Sequence, residues 1–380
     1  MLIMQNLSRK SSNDSIGDKD DYKICFSISI LIPVAGLKSI NETIESFIRQ
    51  ECSEWEILIL RNGIQDLPRG TDVAEKDAFY QDYLLREIFI REKGKGNALN
   101  EGICRAKNNL ICVLDADCIL KDNALSQAVR HFDNDEVVAV GGRLLVAKED
   151  ASLLEIAQCC EYMITFQIVR RILDKLNAQC LISGAFGVFR KSVLLQMNGY
   201  DTDTVGEDME LVLRLLDGGY QKTGNQIVYD PTAVCYTTVP HSLKRLLHQR
   251  DRWQRGLMDC LIKHRNMIAN PLYGMLGLAT MSYQFVFELL GSICSILYML
   301  WPWFRNMFPK SWLLCAGYAG LKLGCVIVAD YLEVDKDVGL LLKQIPKLVW
   351  ETIVEICLHV LITGARLYGM VTFLKRRLVW

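Results

Sequence analysis

Asp115 and Asp117 directly follow an apolar run at residues 110–114. Two carboxylates at i and i+2 at a strand end can turn toward one ligand. Their hard oxygens suit Mg2+ or Mn2+, and such an ion can bridge to a diphosphate. An Asp pair alone also opens turns, so the strand before it is what favours a ligand. A second acidic pair, Glu207-Asp208, ends a Gly- and Asp-rich stretch at residues 198–206 that reads as a loop. A carboxylate held there beside a hydroxyl can take its proton as the oxygen attacks. Taken alone, the pair reads sooner as the acidic start of a helix at residues 209–216. Gly94-Lys95-Gly96 stands before a helical stretch at residues 97–107. Free N–H groups and a lysine at a helix start favour an anion such as phosphate, whereas the plainer reading is a loop with a solvated lysine. Gln249, Arg252 and Trp253 fall within about one helical turn. An arginine can fork onto a diphosphate, and an indole offers a flat apolar platform of the kind sugars stack on. Standing alone, they read as a surface Arg and a core Trp.

The elements that must position these residues follow from periodicity. Short apolar runs at residues 26–33, 55–60, 88–91, 110–114 and 137–141 read as strands. Helical spacing marks residues 39–49 and 97–107, then the long stretches 151–176 and 243–265. Strands alternating with helices imply βαβ units and a mainly parallel sheet. Ligands of such sheets bind at the carboxyl ends of strands, which is where Asn62, Asp115 and Asp117 fall. Arg61-Asn62-Gly63 reads as the turn closing the second strand.

Lys and Arg total 43 against 44 Asp and Glu, a formal net charge of -1. No global charge points to nucleic acid. The 14 cysteines form no zinc-type CxxC pairs and read as small buried hydrophobes in a reducing compartment. Residues 1–23 are polar and lack the apolar core of a signal peptide, so they read as a flexible tail. Hydrophobic residues make up 51%, and the excess sits late in the chain. Residues 243–270 form a basic amphipathic helix suited to a membrane surface. Apolar runs follow at residues 274–303, 312–332 and 353–374, each long enough to cross about 30 Å of hydrocarbon. Glu288, Lys322, Glu355 and Arg366 interrupt them, and charges in spans usually face a bundle interior. The last run, carrying Glu355, His359 and Arg366, is the least span-like. Lys375-Arg376-Arg377 after it draw the C-terminus to the cytosol.

Taken together, the motifs resemble the family 2 glycosyltransferases, especially the branch of cellulose, chitin, hyaluronan and poly-N-acetylglucosamine synthases. The matching pieces run in family order over residues 27–256. They are Ser29-Ile30-Leu31-Ile32-Pro33, Gly94-Lys95-Gly96-Asn97-Ala98-Leu99-Asn100, Asp115-Ala116-Asp117, Ser183-Gly184-Ala185-Phe186-Gly187, residues 199–208, and the QxxRW motif of Gln249, Arg252 and Trp253. The resemblance implies a Rossmann-like GT-A fold over residues 24–242, the interface helix at 243–270 and a membrane region at 271–380. It implies a UDP-sugar donor, a growing glycan or a lipid-linked acceptor, inversion at the anomeric carbon, and Mg2+ or Mn2+ as cofactor. Asp208 would be the general base. Asp115 would contact the nucleotide, and Asp117, with Asp115, would hold the metal. Pro33, Asn62, Lys95, Gln249 and Arg252 would line the donor side, and Glu207 and Trp253 the acceptor side. A multi-pass cell-membrane protein with a cytosolic catalytic domain follows, open to a homo-oligomer or an export partner. Polysaccharide synthesis leads; single transfer to a lipid or lipid-linked sugar is the rival, and a non-catalytic scaffold a remote third. The chain departs from the family at Arg61, where an acidic residue is usual, and at Gly206, where Thr is usual. Arg61 cannot accept a hydrogen bond from a base, and Gly206 is expected to loosen its loop.

Overall fold

The computed structural model describes residues 27–35, 40–50, 54–67, 71–80, 83–147, 152–219, 224–290, 308–333 and 338–378. The expected N-terminal tail and the second half of the run at 274–303 lie outside these residues.

The chain opens with β1 (Ser27–Ala35), α1 (Asn41–Ile48) and β2 (Glu54–Asn62), followed by the hairpin β3 (Val73–Tyr80) and β4 (Tyr83–Ile90). Then come α2 (Lys95–Arg105), β5 (Leu110–Leu114), β6 (Ile119–Leu120), α3 (Ala124–Val129) and β7 (Val137–Val146). A long rod follows: α4 (Leu153–Ile164), a π-helical turn (Thr165–Val169) and α5 (Arg170–Lys175). β8 (Phe186–Arg190), α6 (Lys191–Gln196), α7 (Glu207–Gly219), β9 (Gln226–Thr237) and α8 (Leu243–Lys263) complete the sheet-bearing part. The described tail has π-helical turns at Leu276–Met281 and Gln284–Leu290, then α9 (Phe308–Glu333) and α10 (Val338–Leu378).

The nine strands form one sheet in the order β3-β4-β2-β1-β5-β8-β7-β9-β6. β4, β2, β1 and β5 run parallel. β8 then pairs antiparallel with both β5 and β7, and β3 and β6 also pair antiparallel. Since β7 and β9 pair parallel, six strands run one way and β3, β8 and β6 run against them, so the sheet is mixed, with the expected parallel direction in the majority. Strand alternation builds the two faces. Leu31, Leu58, Leu60, Ile111 and Val113 join α2 residues such as Leu99 and Ile103 on one face. Ile30, Ile32, Ile57, Ile59, Cys112 and Leu114 join Ile44 and Phe47 of α1 on the other. Gly102 lets α2 close on the sheet, since a Cβ there would lie 2.7 Å from the Leu60 side chain.

The tail packs onto this body through α8 and α4. Met258 meets Met370 and Phe373 of α10, Leu246 and Ala157 meet Leu358 and Ile362, and Cys160 meets Val326 of α9. The Thr372 hydroxyl donates to Asp251 at 2.9 Å. The charges inside the apolar runs are paired: Lys322 with Glu355 at 2.9 Å and Arg366 with Glu288 at 2.7 Å. One described helix, over Gly339–Lys375, is long and apolar enough to cross a membrane. It contains the run read as least span-like. The outward faces of α9 and α10 expose Leu321, Leu342, Trp350, Ile353 and Tyr368.

Candidate active site

β5 ends at Leu114, and the chain turns at once, with Cys118 N–H donating to the Asp115 carbonyl at 3.1 Å. The turn is fixed from two sides: Asp115 N–H donates to the Ala185 carbonyl at 3.1 Å, and the Thr43 hydroxyl donates to the Ala116 carbonyl at 2.9 Å. Asp115 is half-buried and Asp117 exposed. The Thr238 hydroxyl donates to Asp117 Oδ2 at 2.9 Å.

α2 begins at Lys95, two residues before its expected start, with Gly94 at φ 128° as its N-cap. That conformation favours glycine. Lys95 does not reach into solvent as a loop lysine would. Its Nζ donates to Asp115 Oδ1 at 2.5 Å and to the Gly184 carbonyl at 2.8 Å. On the other side of the same peptide segment, Gly184 N–H donates to Asp208 Oδ2 at 3.2 Å, while Met209 N–H donates to Asp208 Oδ1 at 2.8 Å. Gly184 thus joins Lys95 to Asp208, and a Cβ on it would lie 2.9 Å from Nζ.

The loop before Glu207-Asp208 is set by α2. The Asn100 amide forks onto the Tyr200 backbone, accepting from its N–H at 2.7 Å and donating to its carbonyl at 2.8 Å. Gly96 leaves room for it, since a Cβ there would lie 3.3 Å from the Asp201 carbonyl oxygen. Lys263 at the end of α8 pairs with Asp201 at 2.6 Å. Glu207 and Asp208 are the first two residues of α7, as the reading of an acidic helix start has it.

α8 places the QxxRW residues. Arg252 is exposed and makes no ion pair among the described residues, and Gln249 is half-buried. Trp253 is 41% exposed, so it is not the core tryptophan of the plain reading. Its ring is held by Arg250, whose guanidinium carbon lies 4.3 Å from the ring centroid. Arg250 is only 2% exposed and forks onto Glu161 of α4 at 2.5 and 3.0 Å. Arg250 and Asp251 point inward among neighbours, while Lys244, Arg245 and Arg252 lie on the exposed face of α8.

Gly206 does not loosen its loop. It lies against Gly256 of α8: a Cβ on Gly206 would sit 2.9 Å from Gly256 Cα, and one on Gly256 would sit 2.8 Å from Gly206 Cα. This contact fixes the spacing between Asp208 and the Arg252-Trp253 turn. Gly256→Ala should therefore lower turnover at least about tenfold, since displacements near 1 Å cost that much or more, while donor affinity changes little. Unchanged turnover would show that the contact sets nothing in the site.

Arg61 donates to Glu87 on β4 at 2.6 Å, with both side chains largely covered. It is a strand-pairing residue, and β2 runs through it rather than turning there. Asn62 donates to the Val34 carbonyl at 3.1 Å and accepts from Gly94 N–H at 3.4 Å, tying the rim together. Pro33 is half-buried within β1.

The electrostatics centre on Lys95. Burial works against its ammonium, but the charges of Asp115, Glu207 and Asp208 outweigh it and raise the Lys95 pKa. Burial, then the like charges of Asp117 and Asp208, push Asp115 up against the pull of Lys95. Burial and Asp208 likewise raise Glu207, against Lys95 and Arg252. The cluster is short of positive charge. Among the described residues no group of three or more His, Cys, Asp or Glu is close enough to hold a metal ion. Lys95 takes Asp115 Oδ1 and Thr238 takes Asp117 Oδ2, which leaves Asp115 Oδ2 and Asp117 Oδ1 without a hydrogen bond among the described residues, so two hard donors remain. That set fits Mg2+ or Mn2+, which bind through one or two carboxylates plus phosphate oxygens and water.

Thr238, Gly184, Arg250, Glu161 and Gly256 were not singled out by sequence reasoning. Gly184 stood inside a recognised motif, and Gly256 stands three residues after Trp253. Thr238 carried no signal.

The family model described as Glycosyltransferase like family 2 matches residues 26–256. A poly-beta-1,6-N-acetyl-D-glucosamine synthase of Staphylococcus epidermidis is 29% identical over 259 residues, 68% of this chain and 61% of the relative. The synthase of the same name from Staphylococcus aureus strain COL is 29% identical over 227 residues, 60% of this chain and 53% of the relative. The matched region thus spans less than two thirds of either relative. Among solved structures, a mannosyltransferase of Pyrobaculum calidifontis in complex with GDP-Man and Mn2+ aligns with TM-score 0.58 at 17% identity, covering 88% of this chain and 95% of that one. The likeness is one of fold: a GT-A-like mixed α/β sheet.

Proposed function

The chain belongs to glycosyltransferase-like family 2, and from that premise we propose that it is a membrane-bound, inverting glycosyltransferase that extends a polysaccharide from a UDP-sugar. The observation that carries this reading is that Lys95, itself bonded to Asp115, and Asp208 meet on the one residue Gly184. A candidate base and a phosphate-seeking cation then stand on the N–H and the carbonyl of one residue.

In the proposed reaction an acceptor hydroxyl attacks the anomeric carbon, and its proton passes to Asp208. The bond from that carbon to the diphosphate oxygen breaks, and negative charge builds on the leaving diphosphate. Arg252 and Lys95 offset that charge. Asp117, with Asp115, would hold Mg2+ or Mn2+, which supplies Lewis-acid stabilisation of the diphosphate when bound. In this reading Glu207 would orient the acceptor, and Asn62, Pro33 and Gln249 would line the donor side.

Similarity to the poly-N-acetylglucosamine synthases favours UDP-N-acetylglucosamine as donor and a growing glycan as acceptor. The long apolar α10, the exposed apolar faces of α9 and α10, and their paired charges support membrane insertion, with the catalytic body on the cytosolic side where nucleotide sugars are made. The sheet-bearing part at residues 24–242, the α8 region at 243–270 and the membrane region at 271–380 are kept as the domain reading.

Product length is the test. With UDP-N-acetylglucosamine in liposomes, the protein should release chains of many units, and Trp253→Ala should shorten them more than it slows donor hydrolysis. A product of one added unit would favour the rival, single transfer to a lipid-linked sugar. Equal loss of both readouts would reduce Trp253 to a packing residue.

A further inference from the structure

We propose that Lys95 is a resident cation that occupies the carboxylate cluster of the resting site and competes with the divalent metal for Asp115, leaving only when a diphosphate draws it away. The inference rests on the reading of Asp115 and Asp117 as metal ligands.

Three observations converge on it. The ammonium is already in place: Nζ lies 2.5 Å from Asp115 Oδ1, one of the oxygens a metal would need. It is held there by a second acceptor, the Gly184 carbonyl at 2.8 Å, so the contact is a built socket and not a chance surface pair. The lysine stands at the first residue of α2, where the helix dipole disfavours a cation. A positive charge kept in that position is held by the carboxylates and not by its own helix.

The consequences are chemical. A cation at Asp115 neutralises part of a cluster that also contains Asp117, Glu207 and Asp208. A divalent ion arriving alone must displace or repel the ammonium. A nucleotide diphosphate arriving with the ion offers the ammonium a new anionic partner nearby. Metal and diphosphate then bind together more strongly than either alone, and the site resists filling by metal without donor.

The test is Mn2+ binding to the full-length protein in detergent, without donor, read by electron paramagnetic resonance or calorimetry. Lys95→Met removes the charge while keeping much of the length, and should bind Mn2+ about tenfold more tightly than the wild type. It should also lose most of the cooperativity between Mn2+ and UDP. Lys95→Arg should restore both wild-type behaviours, and Lys95→Gln serves if the Met variant does not fold. Equal or weaker Mn2+ binding by the uncharged variants would overturn the proposal. The two levels separate cleanly. Unchanged Mn2+ binding in a protein that turns over UDP-sugar would overturn the competition alone. Tightened binding in a protein that turns over no nucleotide sugar would overturn the glycosyltransferase reading alone.

Discussion

Asp208→Asn is expected to reduce sugar transfer by about 10²-fold or more while leaving nucleoside diphosphate binding nearly intact. The amide keeps the shape of the carboxylate, and its oxygen can still accept from Met209 N–H, as Oδ1 does now at 2.8 Å. What it cannot do is take a proton. Its NH2 also faces the Gly184 N–H that now donates to Oδ2, so one backbone donor loses its partner, a cost of about 1–3 kcal/mol where that group is buried. Steady-state turnover beside equilibrium UDP binding separates the two effects. Near-normal turnover would move the base to Glu207, the neighbour whose carboxyl burial and Asp208 push upward.

Asp117→Ala should show a different pattern, with transfer and nucleoside diphosphate binding lost together. Among the described residues its side chain is anchored only through the Thr238 hydroxyl, so removal should leave the fold standing. Loss of a group that stabilises the leaving diphosphate costs on the order of 10²–10³-fold in rate. Chelation with EDTA should reproduce the loss in the wild type, and Mg2+ or Mn2+ should reverse it. Full activity in metal-free buffer would remove Asp117 and Asp115 from any metal-holding role.

The sequence revealed some elements and hid others for physical reasons. β1 and β5 are continuous apolar runs with nearly every residue buried, so they and the aspartates after β5 could be read directly. β3 carries Glu75, Lys76 and Asp77 in the middle of its run, which hides a strand at the edge of the sheet. β9 contains Pro231, an argument against an interior strand. It survives because the pairing with β7 jumps from Asp230 opposite Gly142 to Val234 opposite Arg143, leaving Pro231 in a bulge. β8 is only five residues long and contains Gly187.

The site was legible as a list of side chains and not as a set of contacts. Lys95, Asp115 and Asp208 could be named, but the bridge from Asp115 through Lys95 and Gly184 to Asp208 depends on β8 lying beside β5, which no local pattern encodes. Arg61 read as a departure at a turn because Glu87, its partner, sits on a strand of which only the end was expected. Gly206 read as a loosened loop because its partner, Gly256, is distant in sequence. Arg250 drew no notice for the same reason, since Glu161 lies on α4.

The most direct measurement is the stoichiometry of the reaction itself. Purified protein in liposomes would be given UDP-N-acetylglucosamine with Mn2+, and UDP release would be compared with the mass of the product. The account predicts one UDP released for each N-acetylhexosamine unit gained by a glycan, with Asp208→Asn silent in both readouts. A protein that binds UDP and Mn2+ through these residues, yet releases no UDP from this or any other UDP-sugar and adds no sugar to any product, would contradict it.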